Sequence, residues 1–205
     1  MLFQEFNKAM FSQGSFTSNQ VYSWRPGFDK NNLGRWAQKG LLLKLRNGFY
    51  SFPEYLKQPN FGFYLANRIY KPSYISLHSA LAFYGLIPES VVQITSVTTL
   101  KTAEFQNAFG TFTYKTIKPV AMFGFDYLPF MNNRMLLLAK PEKAILDLLY
   151  LYPFYKTEND FELLRLDDDI MNEIIKKEII LNYLEKFANK ALENRVHLLL
   201  KVYGL

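Results

Sequence analysis

Apolar positions in the first sixty residues form three short helical stripes that run into a hairpin. Leu2, Phe3, Phe6, Met10 and Phe11 recur at helical spacing and predict an amphipathic helix, which Ser12-Gln13-Gly14-Ser15 breaks. Thr17 or Ser18 can cap a second helix through Ser23 or Trp24, with Val21 and Trp24 facing inward. Arg25-Pro26-Gly27 is a turn signal. Asp29 then caps a third helix, with Leu33 and Trp36 or Ala37 on its inner face and Gly40 as its stop. Leu41–Leu45 and Phe49–Phe52 are β-compatible runs joined by Arg46-Asn47-Gly48, and Asn-Gly favours a tight hairpin because both positions tolerate positive φ.

Pro53 to Asn60, with a second proline at Pro59, reads as a linker. Beyond it Phe61–Tyr70 is helical, with Ala66 and Ile69 inward, and Lys71-Pro72-Ser73 stops it. Ser76 caps a helix LHSALAFYG that ends at Gly85. Val91–Thr98 and Gly110–Ile117 read as strands, the second alternating Phe112, Tyr114 and Thr116 against Thr111, Thr113 and Lys115. Shorter strands are expected near Ala121–Phe125 and Met135–Ala139. Pro141 opens a helix, PEKAILDLLYLY. The tail from Asp160 is mostly helical, with Ile179, Ile180, Tyr183, Leu184, Phe187, Ala191 and Leu192 as its apolar face. The pattern predicts an α+β protein: a winged helix-turn-helix domain over residues 1–58, then a larger α+β domain over 59–205 with a small sheet flanked by helices.

Charge sharpens this division. Residues 1–60 hold eight Lys/Arg against three acids, whereas residues 61–205 hold 16 against 15, so nearly all of the net +6 lies in the first module. A basic segment beside a neutral one suggests a polyanion-binding module attached to a domain with another job. The 205 residues contain no cysteine and only two histidines, which excludes disulfides and thiolate chemistry and leaves a zinc site without its usual ligands. No apolar run reaches about 18 residues and the N-terminus does not resemble a signal peptide, so a cytoplasmic protein without membrane contact is expected.

The third helix carries residue types suited to a major groove. Arg and Lys can donate to guanine, and Asn or Gln can pair with adenine. Residues near the helix start usually reach the bases, which favours Lys30, Asn31, Asn32 and Arg35. Gly34 inside this polar run would allow close backbone approach, at a helix cost of roughly 1 kcal/mol against Ala. Gln38 and Lys39 continue the face, Arg25 precedes it, and Lys44, Arg46 and Asn47 ride on the hairpin, with Arg46 at the tip placed to reach a phosphate or the minor groove. These ten residues form the expected site for double-stranded DNA. The alternative for the same pieces is a helix and hairpin that only pack together, with their charges in solvent.

The chain resembles the AbiEi family of antitoxins and transcriptional regulators. The matching pieces are LGRWAQKGLLLKLRNGFYSF, PSYISLHSALAFYGLIPE, the strand pair ITSVTT and GTFTYKTI, and AKPEKAILDLLYL, ordered along residues 29–151. The resemblance implies a winged helix that binds inverted repeats upstream of its own operon. It also implies a C-terminal domain that contributes to antitoxin action against a nucleotidyltransferase-like toxin encoded alongside, without a stable complex between the two. No motif after Tyr152 can be aligned.

Other chemistries are poorly supported. A Mg²⁺ nuclease would need grouped carboxylates and a lysine, and Glu142, Lys143 and Asp147 supply the types. Five residues turn a helix by about 500°, however, so the two acids point roughly 140° apart, and Glu142 is better placed as an acid at a helix start. His78 with Ser76 and Ser79 lacks an accompanying acid and oxyanion pattern. Asp167-Asp168-Asp169 lacks calcium-loop spacing and reads as a helix cap or solvated loop. Phe112 and Tyr114 read as core and not as a base-stacking platform. No cofactor and no metal are called for, and the expectation is a binder, with no catalytic residues. A protein-interaction module that uses the same helix on a partner is the alternative.

Overall fold

The structure is a computed structural model that describes residues 2–88 and 92–205. Helix α1 spans Phe3–Met10 and buries Phe6 and Met10. A 3₁₀ turn over Phe11–Gln13 leads into a short strand β1, Ser15–Thr17, where the sequence pattern showed only a break. Helix α2, Ser18–Trp24, starts at a capping box in which Thr17 and Gln20 satisfy each other's backbone N–H. Val21 is buried as expected, but Trp24 is 40% exposed, with its ring 6.2 Å from that of Phe6. Helix α3, Asn31–Gln38, buries Leu33 and Trp36. Strands β2, Leu43–Arg46, and β3, Phe49–Ser51, form the hairpin, and among the described residues these pieces make a three-stranded antiparallel sheet in the order β1-β3-β2. Its core is aromatic: Phe6 lies 4.8 Å from Trp36, 5.4 Å from Phe16 and 5.8 Å from Phe28, centroid to centroid.

The expected linker is packed. Pro53–Lys57 forms a 3₁₀ turn whose Tyr55 is buried, stacks on Phe61 at 4.5 Å and donates its hydroxyl to the Phe11 carbonyl at 2.6 Å. Helix α4, Phe61–Ile69, follows. Strands β4 (Ser73–Ile75), β5 (Gln93–Thr98), β6 (Ala103–Asn107), β7 (Gly110–Thr116), β8 (Phe125–Phe130) and β9 (Arg134–Ala139) form a six-stranded mixed sheet among the described residues, ordered β6-β7-β5-β4-β9-β8. The pairs β5–β7 and β4–β9 are parallel and the rest antiparallel. The chain is therefore α+β. Val91, expected to open a strand, lies outside the described residues. The strand expected at Ala121–Phe125 starts only at Phe125, because Pro119–Ala121 closes a 3₁₀ turn.

Alternation along the strands assigns the two faces of the sheet. Phe112 and Tyr114 are fully buried, and the Tyr114 hydroxyl donates to Ala66 of α4 at 2.8 Å. Tyr74, one step out of phase, points to the other face, covered by α5 (Leu77–Phe83) and α6 (Pro141–Leu151). The tail adds α7 (Glu158–Leu164), α8 (Asp168–Ile174), α9 (Lys177–Glu185) and α10 (Lys190–Val202), with Asp167 capping α8. Its apolar face is interrupted: Ile180, Leu184 and Leu192 are buried, but Ala191 is exposed beyond the break between α9 and α10.

Ser76 does not cap α5 with its side chain. Its hydroxyl donates instead to the buried Asp147 carboxylate at 2.8 Å, a stronger, charge-assisted bond, and Thr95 takes over by accepting from the Ser79 N–H at 3.1 Å. Tyr74 donates to the same carboxylate oxygen at 2.8 Å, and Lys143 donates to the other oxygen and to the Tyr74 hydroxyl. Lys143 and Asp147 are both 0% exposed. The ammonium also lies 5.1 to 5.3 Å from the ring centroids of Phe187, Phe123 and Tyr74. Gly124, at φ +72°, makes room for the lysine stem: a Cβ there would sit 3.0 Å from Lys143 Cγ. Burial pulls the Lys143 pKa down while Asp147 pushes it back up, and burial followed by Asp147 raises that of Tyr74. Glu142 is buried too, but it turns away and accepts from the Lys176 N–H at 3.2 Å.

Removing one member of a buried ion pair strands the other. Asp147→Asn or Lys143→Met is therefore expected to cost about 3–5 kcal/mol in urea unfolding, and the double change Lys143→Met/Asp147→Leu to recover most of it. Alkaline pH attacks the same core. Burial, followed by Asp126 and Glu142, pushes Tyr84 up to about 12, and burial raises Tyr114 as well as Tyr74. Folded-state phenol pKa values above the unfolded value contribute stability that is complete below pH 10 and is lost as pH rises through the folded values. Absorbance at the phenolate band should show these three tyrosines silent at pH 10 and titrating only with loss of the fold.

Candidate nucleic-acid interface

The local chemistry of Asp29 organises the start of α3. Its Oδ1 accepts from the Asn31 N–H at 3.0 Å and its carbonyl from the Asn32 N–H at 3.0 Å. Its Oδ2 takes Arg35 at 2.5 Å, and the same guanidinium nitrogen donates to Asn32 Oδ1 at 2.8 Å. Asp29 thus satisfies the Asn31 N–H from one residue before the cap position, which is Lys30, and also folds Arg35 back along the helix. Both side chains are about half exposed, at 57% and 48%, so the pair contributes little, about 0–1 kcal/mol, and exchanges readily for another anion.

With Leu33 and Trp36 turned inward, Asn31, Gly34, Arg35 and Gln38 form one exposed stripe, since i, i+3, i+4 and i+7 share a helix face. Asn32 is half-buried beside it. Gly34 lies mid-stripe, and a Cβ added there meets nothing within 4 Å. No internal contact therefore requires a glycine at this position. Lys30 is exposed just before the helix, 5.9 Å from the Tyr22 ring. Arg25 is paired with Glu5 at 3.6 Å. Lys39 and Lys44 are exposed and, among the described residues, in no ion pair; Asn47 is exposed in the hairpin turn.

Arg46 departs from expectation. It does not extend from a free hairpin tip. The edge strand β2 lies against β6, where Asn107 donates to the Leu45 carbonyl at 3.3 Å. An arginine on that edge meets protein: Arg46 donates to the Ile69 carbonyl at 2.7 Å and stacks over Phe105 at 4.5 Å and Tyr70 at 5.4 Å. The structure thus brings nine of the ten expected residues to exposed or half-buried positions on and around α3 and the hairpin, and turns the tenth into a tie between the two sheets.

A second concentration of positive charge escaped sequence reading. Arg68, Lys71 and Arg134 line one cleft although they are far apart in the chain. Arg134 also reaches across to the first module, donating to the Gln13 carbonyl and, at 2.6 Å, to that of Ser12. Only Lys71-Pro72, at the helix stop, stands out in the sequence, and nothing there relates it to Arg134.

Among the described residues, no helix is long and apolar enough to cross a membrane. The chain matches no protein-family model and no curated protein. Arg46→Ala should lose a hydrogen bond and a cation–π stack, and lower the unfolding free energy by about 1–3 kcal/mol. Lys44→Ala, two residues before it in the chain and exposed, should change it by less than about 0.5 kcal/mol. Equal effects of the two in thermal or urea unfolding would show that Arg46 is not a tie.

Proposed function

We propose that this protein is a DNA-binding transcriptional regulator of the AbiEi antitoxin type, which represses its own operon and counters a nucleotidyltransferase-like toxin without a stable complex. Three features support a winged-helix reading: the order α1-β1-α2-α3-β2-β3, the β1-β3-β2 sheet, and a third helix that runs within a few residues into a basic hairpin. The observation that carries DNA binding is the outward stripe of α3. It combines Asn31, Arg35 and Gln38, which can read base edges, with a glycine that no internal contact requires. A glycine there lets a duplex backbone or groove wall come close to the helix. Lys30, Lys39 and Lys44 supply phosphate contacts around it. Phosphate can displace Asp29 from Arg35, because that ion pair is exposed.

The proposed mechanism is steric. Helix α3 enters the major groove, two copies occupy an inverted repeat, and the covered promoter excludes polymerase. A binder is favoured over an enzyme because Glu142 and Asp147 serve different partners inside the fold and share no opening. The antitoxin role rests on the resemblance alone.

Mobility-shift titration of the DNA upstream of the gene tests the reading. Lys30→Ala should weaken binding across sequences and reduce the salt slope by about 1. Arg35→Ala should cost about 1–3 kcal/mol if it reads a base. Gly34→Ala is the sharper probe: it should leave the fold as stable or more stable, by up to about 1 kcal/mol, while weakening DNA binding. If Gly34→Ala and Arg35→Ala retain DNA like the parent, α3 is not the reading helix. Absence of retention at physiological salt by the unaltered protein would favour a protein partner for this face.

A further inference from the structure

The cleft that gathers Arg68, Lys71 and Arg134 has a volume of about 610 Å³, within the range of small-molecule sites. It arises from an incomplete strand pair. Strands β4 and β9 pair only at Ile75 and Leu138. Beyond that point the Asn67 side chain stands between them, donating to the Ser73 and Leu137 carbonyls at 3.5 and 3.3 Å and accepting from the Leu137 N–H at 2.8 Å. Asn67, Ser73 and Leu137 all line the cleft, so its wall is the splayed end of the sheet, held by a satisfied amide.

Its chemistry is lopsided. The described lining has three cations and no carboxylate. Arg134 spends its hydrogen bonds on neutral carbonyls and sits over the Tyr64 ring at 5.6 Å, which leaves its charge uncancelled. The Nε of Arg68 is buried without a partner. Lys71 keeps an exposed side chain, and partial desolvation followed by the neighbouring Arg68 charge lowers its pKa. Phe125, Tyr127, Met135 and Leu137 give the same cleft an apolar part, in which the Phe125 and Tyr127 rings are inclined at 63° and Tyr127 is 62% exposed.

We propose that this cleft binds a small aromatic anion, with its phosphate or carboxylate on Arg68 and Lys71 and its ring against Phe125 and Tyr127. The site is distinct from the α3 face and does not depend on DNA binding. Arg134 links it to the first module, because the same guanidinium lines the cleft and holds the Ser12 and Gln13 carbonyls.

Fluorescence titration of the full chain with 8-anilinonaphthalene-1-sulfonate, an aromatic anion, reads the site directly. One saturable site is expected, weakened at least tenfold by Lys71→Glu and by Arg68→Gln and retained by Lys71→Arg. Lys71 is exposed, so its variants are expected to fold, and circular dichroism checks this. Displacement by phenyl phosphate but not benzoate identifies a phosphate ligand, and the reverse a carboxylate; displacement by either supports the site. The proposal is overturned if no saturable site appears, if Lys71→Glu and Arg68→Gln both bind as the parent does, or if neither competitor displaces the probe.

Discussion

A carboxylate sealed from water must have its charge met by protein, and Asp147 imposes that requirement on the centre of this fold. Its partners come from three places: Tyr74 on β4, Ser76 at the turn into α5, and Lys143 one helical turn earlier on α6. Hydrogen bonds are directional, so these contacts fix the register of β4 and the pose of α6 more narrowly than apolar packing would. β4 lies between β5 and β9, in the middle of the sheet. Both halves of the six-stranded sheet are therefore aligned on a strand that Asp147 holds. The same carboxylate takes the Ser76 hydroxyl away from the start of α5 and leaves Thr95 to satisfy it.

The junction of the two modules is built reciprocally. Arg46, from the small sheet, donates to the carbonyl of the last residue of α4. Arg134, from the large sheet, donates to the Ser12 and Gln13 carbonyls of the 3₁₀ turn that follows α1. Each guanidinium thus meets the electronegative end of a helical segment in the other module. Between them Tyr55 stacks on both Phe11 and Phe61. These contacts hold α3 in a set orientation to the large sheet. They also put one wall of the cationic cleft, Arg134, in mechanical contact with the module that carries α3.

Much of the fold was legible where a segment's own periodicity decides its structure. The apolar stripes of α1 and α3, the proline start of α6, the hairpin around Asn47-Gly48 and the alternation in β7 all appear in the described structure with shifts of a few residues at their ends. The short strands β1, β4 and β6 were not legible. A segment of three to five residues carries too little pattern, and it becomes a strand only when a neighbour supplies hydrogen bonds. Nine of the ten residues expected to contact DNA are exposed or half-buried on and around α3 and the hairpin because helix period and turn chemistry place them locally. Arg46 and Trp24 were misplaced because the bodies they do or do not meet are distant in sequence.

The sequence by itself determined the α+β class, the concentration of charge in the first module, and the polar stripe with Gly34 on α3, because composition and helical period are local properties. Tertiary structure alone decided three other things. The pair Lys143 and Asp147, which at i, i+4 looks like an ordinary surface ion pair, lies in the core because β4 and the residues around Phe123 and Phe187 close over it. Arg46 became a tie because β2 lies on β6. Arg68, Lys71 and Arg134 became one cleft because β4 and β9 part beyond a single pair. In each case the outcome depends on which remote segment covers a residue, and no local pattern encodes that.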